Sequence, residues 1–342
     1  MPISQDEFRR LADTVATWRR PLLLTHARPD GDAVGCLVAM RAMLRRDGAE
    51  PLALIVNAAA DRYAFLWEGD PITGTAEAID PPARADAFAP DGVLVLDTCS
   101  YAQLEPMSHW LRSGPGRGLP KIALDHHITR DPVADEYLID ESASASALIV
   151  LDWATAAGWP IERRSADALM VGLATDTGWF RYSNTDARTL TAAARLAECG
   201  AVAAALYDKI YNCEKPERVR LEAAAVSTLE LPGDGRIAVM SLQPHHFHAA
   251  GATESDTSDI VNIPMRIDGV RVSLLLVVDT AGVVRVSLRS MPPSDVVPDI
   301  NIAEVAAAFG GGGHSRAAGA RVQGSLEAVK KRVLAKLCAA GA

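Results

Sequence analysis

A short polar segment follows the first apolar run of the chain and carries side chains of the kinds that bind metals. The stretch "LTHARPDGDAVG" begins at Leu24 and places His26, Asp30 and Asp32 close together. One imidazole and two carboxylates at this spacing form either an ordinary turn with a helix cap or one part of a metal site. The positions of similar side chains elsewhere in the sequence distinguish a simple turn from a metal site.

Further carboxylates and imidazoles stand where other apolar segments end. Asp97 closes "VLVLD", Asp125, His126 and His127 follow "KIAL", and Asp176 lies in "GLATDTGWF". A lone aspartate after a strand is usually a turn or cap, and a lone histidine is usually a surface residue. Several carboxylates gathered at one place repel one another, however, and their clustering favours a bound cation.

The combined set predicts a site for two metal ions. Carboxylate, imidazole and water suit Mn²⁺, Mg²⁺, Fe²⁺ or Co²⁺, and the absence of thiolates argues against a structural zinc site. Six protein ligands are too many for one catalytic ion that keeps open positions, so we expect two ions about 3.5–4 Å apart with a shared carboxylate. The candidate ligands are His26, Asp30, Asp32, Asp97, His126 and Asp176.

The hydrophobic pattern predicts the elements that must position these residues. Short continuous apolar runs at 21–25, 51–56, 93–97 and 121–125 are typical of buried strands, and a helix whose start Asp32 can cap lies between the first two. Strands alternating with helices predict a mostly parallel sheet flanked by helices. Sites in such sheets form beyond the carboxyl ends of the strands, where the candidate ligands lie.

The second half of the chain has a different pattern. Residues 144 to about 231 are mostly helical, and strands are expected at 236–242, 270–280 and 283–290, the last two as a hairpin. A helix, a "GGGGH" loop and a final helix close the chain. We therefore predict an α/β domain over 1–200, a helical linker over 201–230 and a smaller α+β domain over 231–342.

Composition excludes several functional classes. The 342 residues are 49% hydrophobic and carry 34 Lys+Arg against 43 Asp+Glu, a net charge of -9. This balance argues against a broad basic surface for long duplex nucleic acid. Five scattered cysteines without a C-x-x-C motif indicate the reduced thiols of a cytoplasmic protein. No apolar run approaches the ~18 residues of a membrane span, so no membrane association is expected.

A glycine-rich segment in the second half predicts a site for a small anion. "GGGGHSRAAG" spans 310–319, and glycines allow a phosphate to approach the backbone closely, although a flexible connector has the same composition. Arginine and histidine side chains bind phosphate through charge-assisted hydrogen bonds. The candidate substrate-binding residues are Arg289, Gly311, Gly312, Gly313, His314 and, as a weaker helper, Arg316.

These segments together resemble a known family. "HARPDGDAVG", "LDTCS", "LDHHIT" and "GLATDTGWFRYSNT" are similar, in order, to the four motifs of the DHH phosphoesterase superfamily. "VVRVSLRS" and "GGGGHSRAAG" resemble the DHHA1 domain that accompanies it. The two-domain layout without extra modules is similar to the standalone branch of nanoRNases (oligoribonucleases) and 3′-phosphoadenosine-5′-phosphate (pAp) phosphatases.

The resemblance implies a role for each matching residue. Asp97 would bridge the two ions, His127 would face the scissile phosphate, and Asp125 would orient the histidines. Arg289 and His314 would recognise the nucleotide. One ion would be held by His26, Asp30 and Asp97, and the other by Asp32, Asp97, His126 and Asp176.

The resemblance also implies an activity. It is that of a Mn²⁺-dependent phosphodiesterase and phosphatase that hydrolyses short oligoribonucleotides or linear dinucleotides to mononucleotides, and pAp to AMP. A cyclic-dinucleotide phosphodiesterase shares the same active site and stays open as an alternative. A catalytically inactive nucleotide-binding regulator is a third interpretation, against which the full ligand set argues. The expected partners are short RNA oligonucleotides and small nucleotides, and a homodimer stays open.

Overall fold

The computed structural model of the chain describes residues 3–45, 48–56, 61–69, 72, 80–128, 130–279, 281–293 and 299–342. The chain forms two compact units, residues 1–213 and 214–342. No single helix among these described residues is long and apolar enough to cross a membrane. Only the pair at 187–198 and 203–211, bent by 100°, meets the length and composition criteria together.

The first unit contains a five-stranded parallel sheet in the order β2-β1-β3-β4-β5. Its strands are β1 Pro21–Leu24, β2 Leu52–Leu54, β3 Gly92–Leu96, β4 Lys121–Asp125 and β5 Glu136–Ile139. The predicted parallel α/β architecture is confirmed. The edge strand β5 was not predicted, because its half-buried "EYLI" lacks the continuous apolar run of a central strand.

Helices cover both faces of this sheet. They are α1 Gln5–Ala16, α2 Gly31–Leu44, α3 Pro81–Phe88, α4 Met107–Arg112, α5 Ser146–Ala156, α6 Arg163–Asp176, α7 Ala187–Glu198 and α8 Ala203–Tyr211. Leu23 points into one core with α2, α5 and α6, whereas Leu22 and Leu24 point into the other with α3 and α4. Burial on both faces explains why the strand sequences are continuously apolar.

The strand order reverses between β1 and β3. Helix α2 leads from β1 to β2 on one side, and the later strands are added on the other side. The carboxyl ends of β1 and β3 therefore diverge into loops at a topological switch point, where open α/β sheets form their binding crevice. His26 and Asp97 follow these two strand ends.

The second unit contains a mixed sheet in the order β6-β7-β8-β10-β9, with β6 and β7 parallel and the other pairs antiparallel. Its elements are α9 Pro216–Ser227, β6 Ile237–Leu242, α10 Pro244–Ala250, β7 Val272–Val278, β8 Val283–Ser290, α11 Ile302–Ala307, β9 Gly312–His314, β10 Ala317–Gln323 and α12 Leu326–Ala339. The smaller α+β fold and the β7–β8 hairpin agree with the prediction.

Two segments of the second unit differ from the expectation. Part of the predicted "GGGGH" loop is the edge strand β9, and the following "AAGARVQ" is strand β10. Glycine and alanine have low strand propensity, so the sequence carries no strand signal there. Alternate burial of Ala318, Ala320 and Val322 against the core makes β10 a strand through tertiary packing.

Candidate metal centre

The loop from β1 to α2 delivers the first ligand-type residues. Asp30, and not Asp32 as predicted, is the N-cap of α2. Its Oδ1 accepts hydrogen bonds from the N–H groups of Asp32 and Ala33, both at 3.1 Å. The same oxygen lies 3.8 Å from His26 Nε2. Asp30 therefore is a helix cap, and capping places its carboxylate against the imidazole.

Asp32 is fully buried, and the start of α5 holds its carboxylate. Oδ2 accepts from the Ser146 N–H at 2.6 Å and Oδ1 from the Ala147 N–H at 2.8 Å. The N-terminus of a helix carries partial positive charge and unpaired N–H groups, so it favours an anion there. Gly172 on α6 permits this approach, because a Cβ at that position would lie 2.7 Å from Asp32 Oδ1.

Asp97 occupies the centre of the cluster in an uncommon backbone conformation. It follows β3 with φ +61° and is 2% exposed, and the left-handed region is costly for residues other than glycine. Its Oδ2 lies 3.6 Å from His26 Nε2, and its Oδ1 lies 3.8 Å from His126 Nε2. The two oxygens thus face different histidines, as a bridging carboxylate requires. The Ser146 hydroxyl donates to Oδ1 at 2.8 Å.

The hydrogen bonds of His126 define its tautomer. Nδ1 lies 3.1 Å from the Ala143 carbonyl oxygen, which can only accept, so Nδ1 carries a proton. Nε2 is buried, makes no hydrogen bond and lies 3.2 Å from Asp176 Oδ2. In the neutral ring, this nitrogen presents an unshared lone pair beside a carboxylate, which is the form that binds a metal.

His127 is held by the buried residue that precedes the pair. Asp125 Oδ1 accepts from the His127 backbone N–H at 3.1 Å and lies 2.7 Å from its ring Nδ1. The ring is half exposed, and Nδ1 is 4.0 Å from Asp97 Oδ1. Asp125 thereby fixes the ring orientation and leaves Nε2 for another partner.

The six predicted ligands come together in two adjoining groups. In each group, one potential ligand atom per residue lies within 4.8 Å of the others. A third group joins Asp97 to His126 and His127, so Asp97 is shared between both sides of the cluster. The first two groups consist of His26, Asp30 and Asp97, and of Asp32, His126 and Asp176.

The electrostatics of this cluster fit a multivalent cation. Burial, together with neighbouring carboxylates, raises the pKa of Asp32 and of Asp97 above the ordinary range. Burial opposes protonation of His26, but the adjacent carboxylates raise its pKa to about 10, and those beside His126 raise its pKa to about 9. Without a cation the cluster therefore retains protons, and a divalent ion that replaces them satisfies the same carboxylates.

Two further side chains, Ser146 and Cys36, contact the carboxylates of the cluster. Ser146 contacts Asp97 through its hydroxyl and Asp32 through its N–H, and sequence reasoning did not select it. The only feature of the sequence that could have indicated this role is the serine-rich stretch "SASAS" before an apolar helix. Cys36 is buried, and its thiol donates to Asp32 Oδ1 at 3.7 Å. Burial and the nearby carboxylates raise the pKa of this thiol, which disfavours the thiolate form.

In the second unit, the predicted substrate residues share one face of the mixed sheet. Arg289 on β8 is paired with Ser273 on one side and Ala317 on the other, and Ala317 is paired with His314. Paired residues project to the same face, so Arg289 and His314 stand about 10 Å apart at ordinary strand spacing. The small Ala317 lies between them.

The three predicted glycines differ in their surroundings. A Cβ at Gly311 would lie 2.1 Å from the Gly319 carbonyl oxygen, and one at Gly313, where φ is +142°, would lie 2.4 Å from that of Ala317. Both glycines are therefore required for packing of β9 against β10. Gly312 has nothing within 4 Å of its Cβ position and is the one of the three with open space above it.

Arg316 makes hydrogen bonds within its own unit. Its Nη1 donates to the Ile300 carbonyl oxygen at 3.1 Å, and its Nη2 pairs with Asp299. These contacts join the segment before α11 to the β9–β10 turn. A direct contact of Arg316 with substrate stays a prediction.

Comparison with known proteins agrees with this geometry. Residues 234–340 match the family model described as the DHHA1 domain. This match lies within the second unit. The chain is 26% identical over 330 residues to the bifunctional oligoribonuclease and PAP phosphatase NrnA of Bacillus subtilis, covering 96% of both chains. It is 28% identical over 331 residues to the protein of the same name from Thermus thermophilus, covering 96% of this chain and 93% of that one.

A solved structure has the same fold along the whole chain. The crystal structure of an exopolyphosphatase-related protein from Bacteroides fragilis superposes with a TM-score of 0.83 at 24% identity, covering 98% of this chain and 96% of that chain. This likeness supports the fold, and the resemblance first suggested by the motifs is confirmed by the DHHA1 match and by the relatives named oligoribonuclease and PAP phosphatase.

Proposed function

We propose that this protein is a metal-dependent phosphoesterase that hydrolyses short oligoribonucleotides and linear dinucleotides to mononucleotides, and pAp to AMP. The observation that carries the proposal is the cluster of six ligands arranged around Asp97. Relatives aligned over nearly the full chain are named oligoribonucleases and PAP phosphatases, which supports this substrate class. On the same grounds we expect short oligonucleotides and small nucleotides as partners, in the cytoplasm.

The donor set favours two divalent ions, and Mn²⁺ is the one we expect. Carboxylates, imidazoles and water suit Mn²⁺, and Mg²⁺, Fe²⁺ and Co²⁺ are alternatives. His26 and Asp30 would hold one ion, and Asp32, His126 and Asp176 the other, with Asp97 shared. When bound, such ions lower the pKa of a water nucleophile and neutralise phosphate charge.

The protein's own residues orient the reacting groups. Asp97 is buried and held by the Ser146 hydroxyl, so its two oxygens remain directed to opposite sides of the cluster. Asp125 holds His127 through two contacts, which directs Nε2 of a half-exposed ring outward. From there His127 would protonate the leaving oxygen or stabilise negative charge on the phosphate.

The DHHA1 sheet supplies cationic groups for a small substrate. Arg289 and His314 share one row of the sheet, and their separation of about 10 Å suits a single nucleotide rather than a long strand. The acidic overall charge agrees with a small anionic ligand. In our proposal these two side chains bind the part of the substrate distant from the scissile phosphate.

A product-resolved hydrolysis assay tests the proposal. Protein stripped of metal and reloaded with Mn²⁺ is incubated with pAp, dinucleotides, 5-mers, a 24-mer and cyclic dinucleotides. We expect mononucleotides from the short linear substrates, AMP from pAp and little attack on the 24-mer. The Asp97→Asn protein, purified in parallel, controls for contaminating nucleases. Preferred turnover of cyclic dinucleotides, or binding without hydrolysis, would contradict the proposal and support the cyclic-dinucleotide or regulator alternative.

A further inference from the structure

An aromatic cluster on the first unit has no role in the metal chemistry. Trp179 meets Tyr207 edge-on with ring centroids 5.1 Å apart and meets Tyr211 at 5.5 Å, and the two tyrosine rings lie 4.9 Å apart. Tyr207 and Tyr211 occupy successive turns of α8 and are 39% and 37% exposed. Tyr182 is 57% exposed. Exposed aromatic residues gathered in one place usually mark a binding surface.

The backbone that presents Trp179 is strained. Gly178, Trp179 and Phe180 have φ values of +56°, +59° and +63°, so three consecutive residues adopt the left-handed conformation. For a bulky residue this conformation is an outlier that costs about 1–2 kcal/mol. Such strain is concentrated at functional sites, where surrounding structure maintains it. Here it turns the chain immediately after α6 and directs Trp179 toward α8.

The cluster adjoins the metal centre. Trp179 follows Asp176 by three residues, and the Asn184 amide donates to the Asp176 carbonyl oxygen at 3.2 Å. Burial raises the pKa of Tyr63 to about 12, and the charges of Asp30, Tyr211 and Asp176 also raise it. Tyr211 therefore lies near the same side chain as these two carboxylates.

Cationic groups border the same surface. The Arg181 Nε donates to the Gly178 carbonyl oxygen at 2.7 Å, and the Arg62 guanidinium lies 5.9 Å from the ring of Tyr63. Burial raises the pKa of Tyr211, and the charges of Arg62 and Arg181 oppose that rise, so both guanidinium groups lie close to it. Aromatic faces bordered by arginines are the combination that binds single-stranded nucleic acid.

We propose that Trp179, Tyr207 and Tyr211 form a base-stacking subsite that holds a nucleobase of the oligoribonucleotide beside the metal centre. The inference rests on the proposed function and adds to it a determinant of affinity that acts through bases rather than phosphates. Stacking accepts any base, because every base has a π face, so the subsite favours oligonucleotides without selecting a sequence. A second copy of the chain is the competing occupant of this surface.

Binding of modified trinucleotides to the full-length protein tests the subsite. The ligands are a phosphorothioate-linked triadenylate and three versions of it, each lacking one base, with affinities measured by competition in Mn²⁺. Removal of a stacking ring costs about 1–3 kcal/mol per base, or about 5- to 150-fold in affinity. Tyr207→Ala and Tyr211→Ala should show this loss with the complete ligand. They should show almost none with the ligand that lacks the stacked base.

Control variants separate stacking from structural damage. Tyr207→Phe and Tyr211→Phe keep the rings and should bind within about twofold of the unaltered protein. Leu190→Ala removes an exposed apolar side chain from α7 and should leave affinity unchanged. Near-ultraviolet circular dichroism and urea unfolding verify the fold of each variant.

Each result has a defined consequence. Equal losses with every abasic ligand, no loss at all, or no binding by the unaltered protein would overturn the subsite. A change of oligomeric state with unchanged affinity would assign the surface to a second copy. Base-dependent binding without hydrolysis of the natural triadenylate would contradict the proposed function and leave the stacking subsite standing.

Discussion

Replacement of Ser146 by alanine tests whether the start of α5 organises the metal centre. The Ser146 hydroxyl donates at 2.8 Å to Asp97 Oδ1, the oxygen that also lies 3.8 Å from His126 Nε2. Both side chains are buried, so water cannot replace the lost donor. The backbone N–H that holds Asp32 is retained in Ser146→Ala. The substitution therefore removes one hydrogen bond to the proposed bridging carboxylate and leaves every ligand in place.

The size of the effect follows from the charge on the acceptor. A hydrogen bond to an ionised group contributes about 1.5–3 kcal/mol. If that free energy serves to orient Asp97 for metal binding, its loss weakens Mn²⁺ affinity by about 10- to 150-fold, at 1.4 kcal/mol per tenfold. Residues that orient metal ligands in other proteins typically contribute a similar factor, about 10- to 100-fold. Turnover should recover at saturating Mn²⁺, because no ligand has been lost.

Mn²⁺ affinity measured by titration calorimetry on metal-stripped protein gives the readout. Ser144→Ala is the matched control: Ser144 is a buried serine two positions away, and it accepts a hydrogen bond from the Thr189 hydroxyl at 2.8 Å. It loses a neutral hydrogen bond, worth about 0.5–1.5 kcal/mol of stability. Urea unfolding of both variants in chelator separates stability from metal affinity.

If Ser146→Ala binds Mn²⁺ with an affinity within twofold of that of the unaltered protein, the Ser146 hydroxyl does not orient Asp97 for metal binding, and the prediction is refuted. Equal losses of affinity in the Ser146 and Ser144 variants would also refute it, because the effect would then report general loosening of the helix start. Failure of saturating Mn²⁺ to restore turnover would indicate that Ser146 acts on the substrate rather than on Asp97.

Three further predictions follow from the same geometry. Asp97→Asn removes the shared charge and should lower kcat by several orders of magnitude while the circular dichroism spectrum is retained; near-normal turnover at saturating Mn²⁺ would exclude a bridge. Because the pKa of His26 is raised to about 10 and that of His126 to about 9, their stabilisation of the metal-free protein is complete below about pH 6.5 and is lost as pH rises through 9–10. Urea midpoints in chelator should therefore fall from pH 6.5 to 8.5 while Mn²⁺ affinity rises, and the opposite trend would contradict the cluster electrostatics. Arg289→Ala and His314→Ala should each raise KM for dinucleotides by about 10- to 150-fold, for a lost charge-assisted contact of about 1.5–3 kcal/mol, without changing metal content; equal losses of kcat/KM on a small phosphodiester without a distal nucleotide would remove the DHHA1 sheet from recognition.

Local pattern was sufficient to predict much of this protein. Continuous apolar runs predicted strands β1 to β4 of the first sheet, since a strand buried on both faces must be apolar throughout. The order of strands and helices predicted the parallel sheet, and the chemical types at strand ends predicted that six carboxylate and imidazole side chains lie together. These inferences succeed because periodicity, chain order and side-chain chemistry are properties of neighbouring residues.

Weak local signals concealed other elements. Strand β5 at the sheet edge is half exposed, and β10 is built from alanine and glycine, so neither carries a continuous apolar run. Edge position and packing against the core made them strands. The sequence also did not reveal the roles of Gly311 and Gly313. A glycine that permits close strand packing cannot be distinguished, from sequence alone, from a glycine that lets a phosphate approach the backbone.

By itself, the sequence determined the fold class, the side-chain types gathered at the strand ends and the resemblance to a family, which depend on residue types in order along the chain. Only the tertiary structure decided how those groups are held. Asp32 is bound by the start of a helix that begins 114 residues later, and Trp179 meets the tyrosines of α8 through a left-handed turn. Hydrogen bonds and ring contacts between segments distant in sequence depend on how helices pack, and many packings satisfy the same periodicity. That is why Ser146 and the aromatic cluster become visible only in the folded chain.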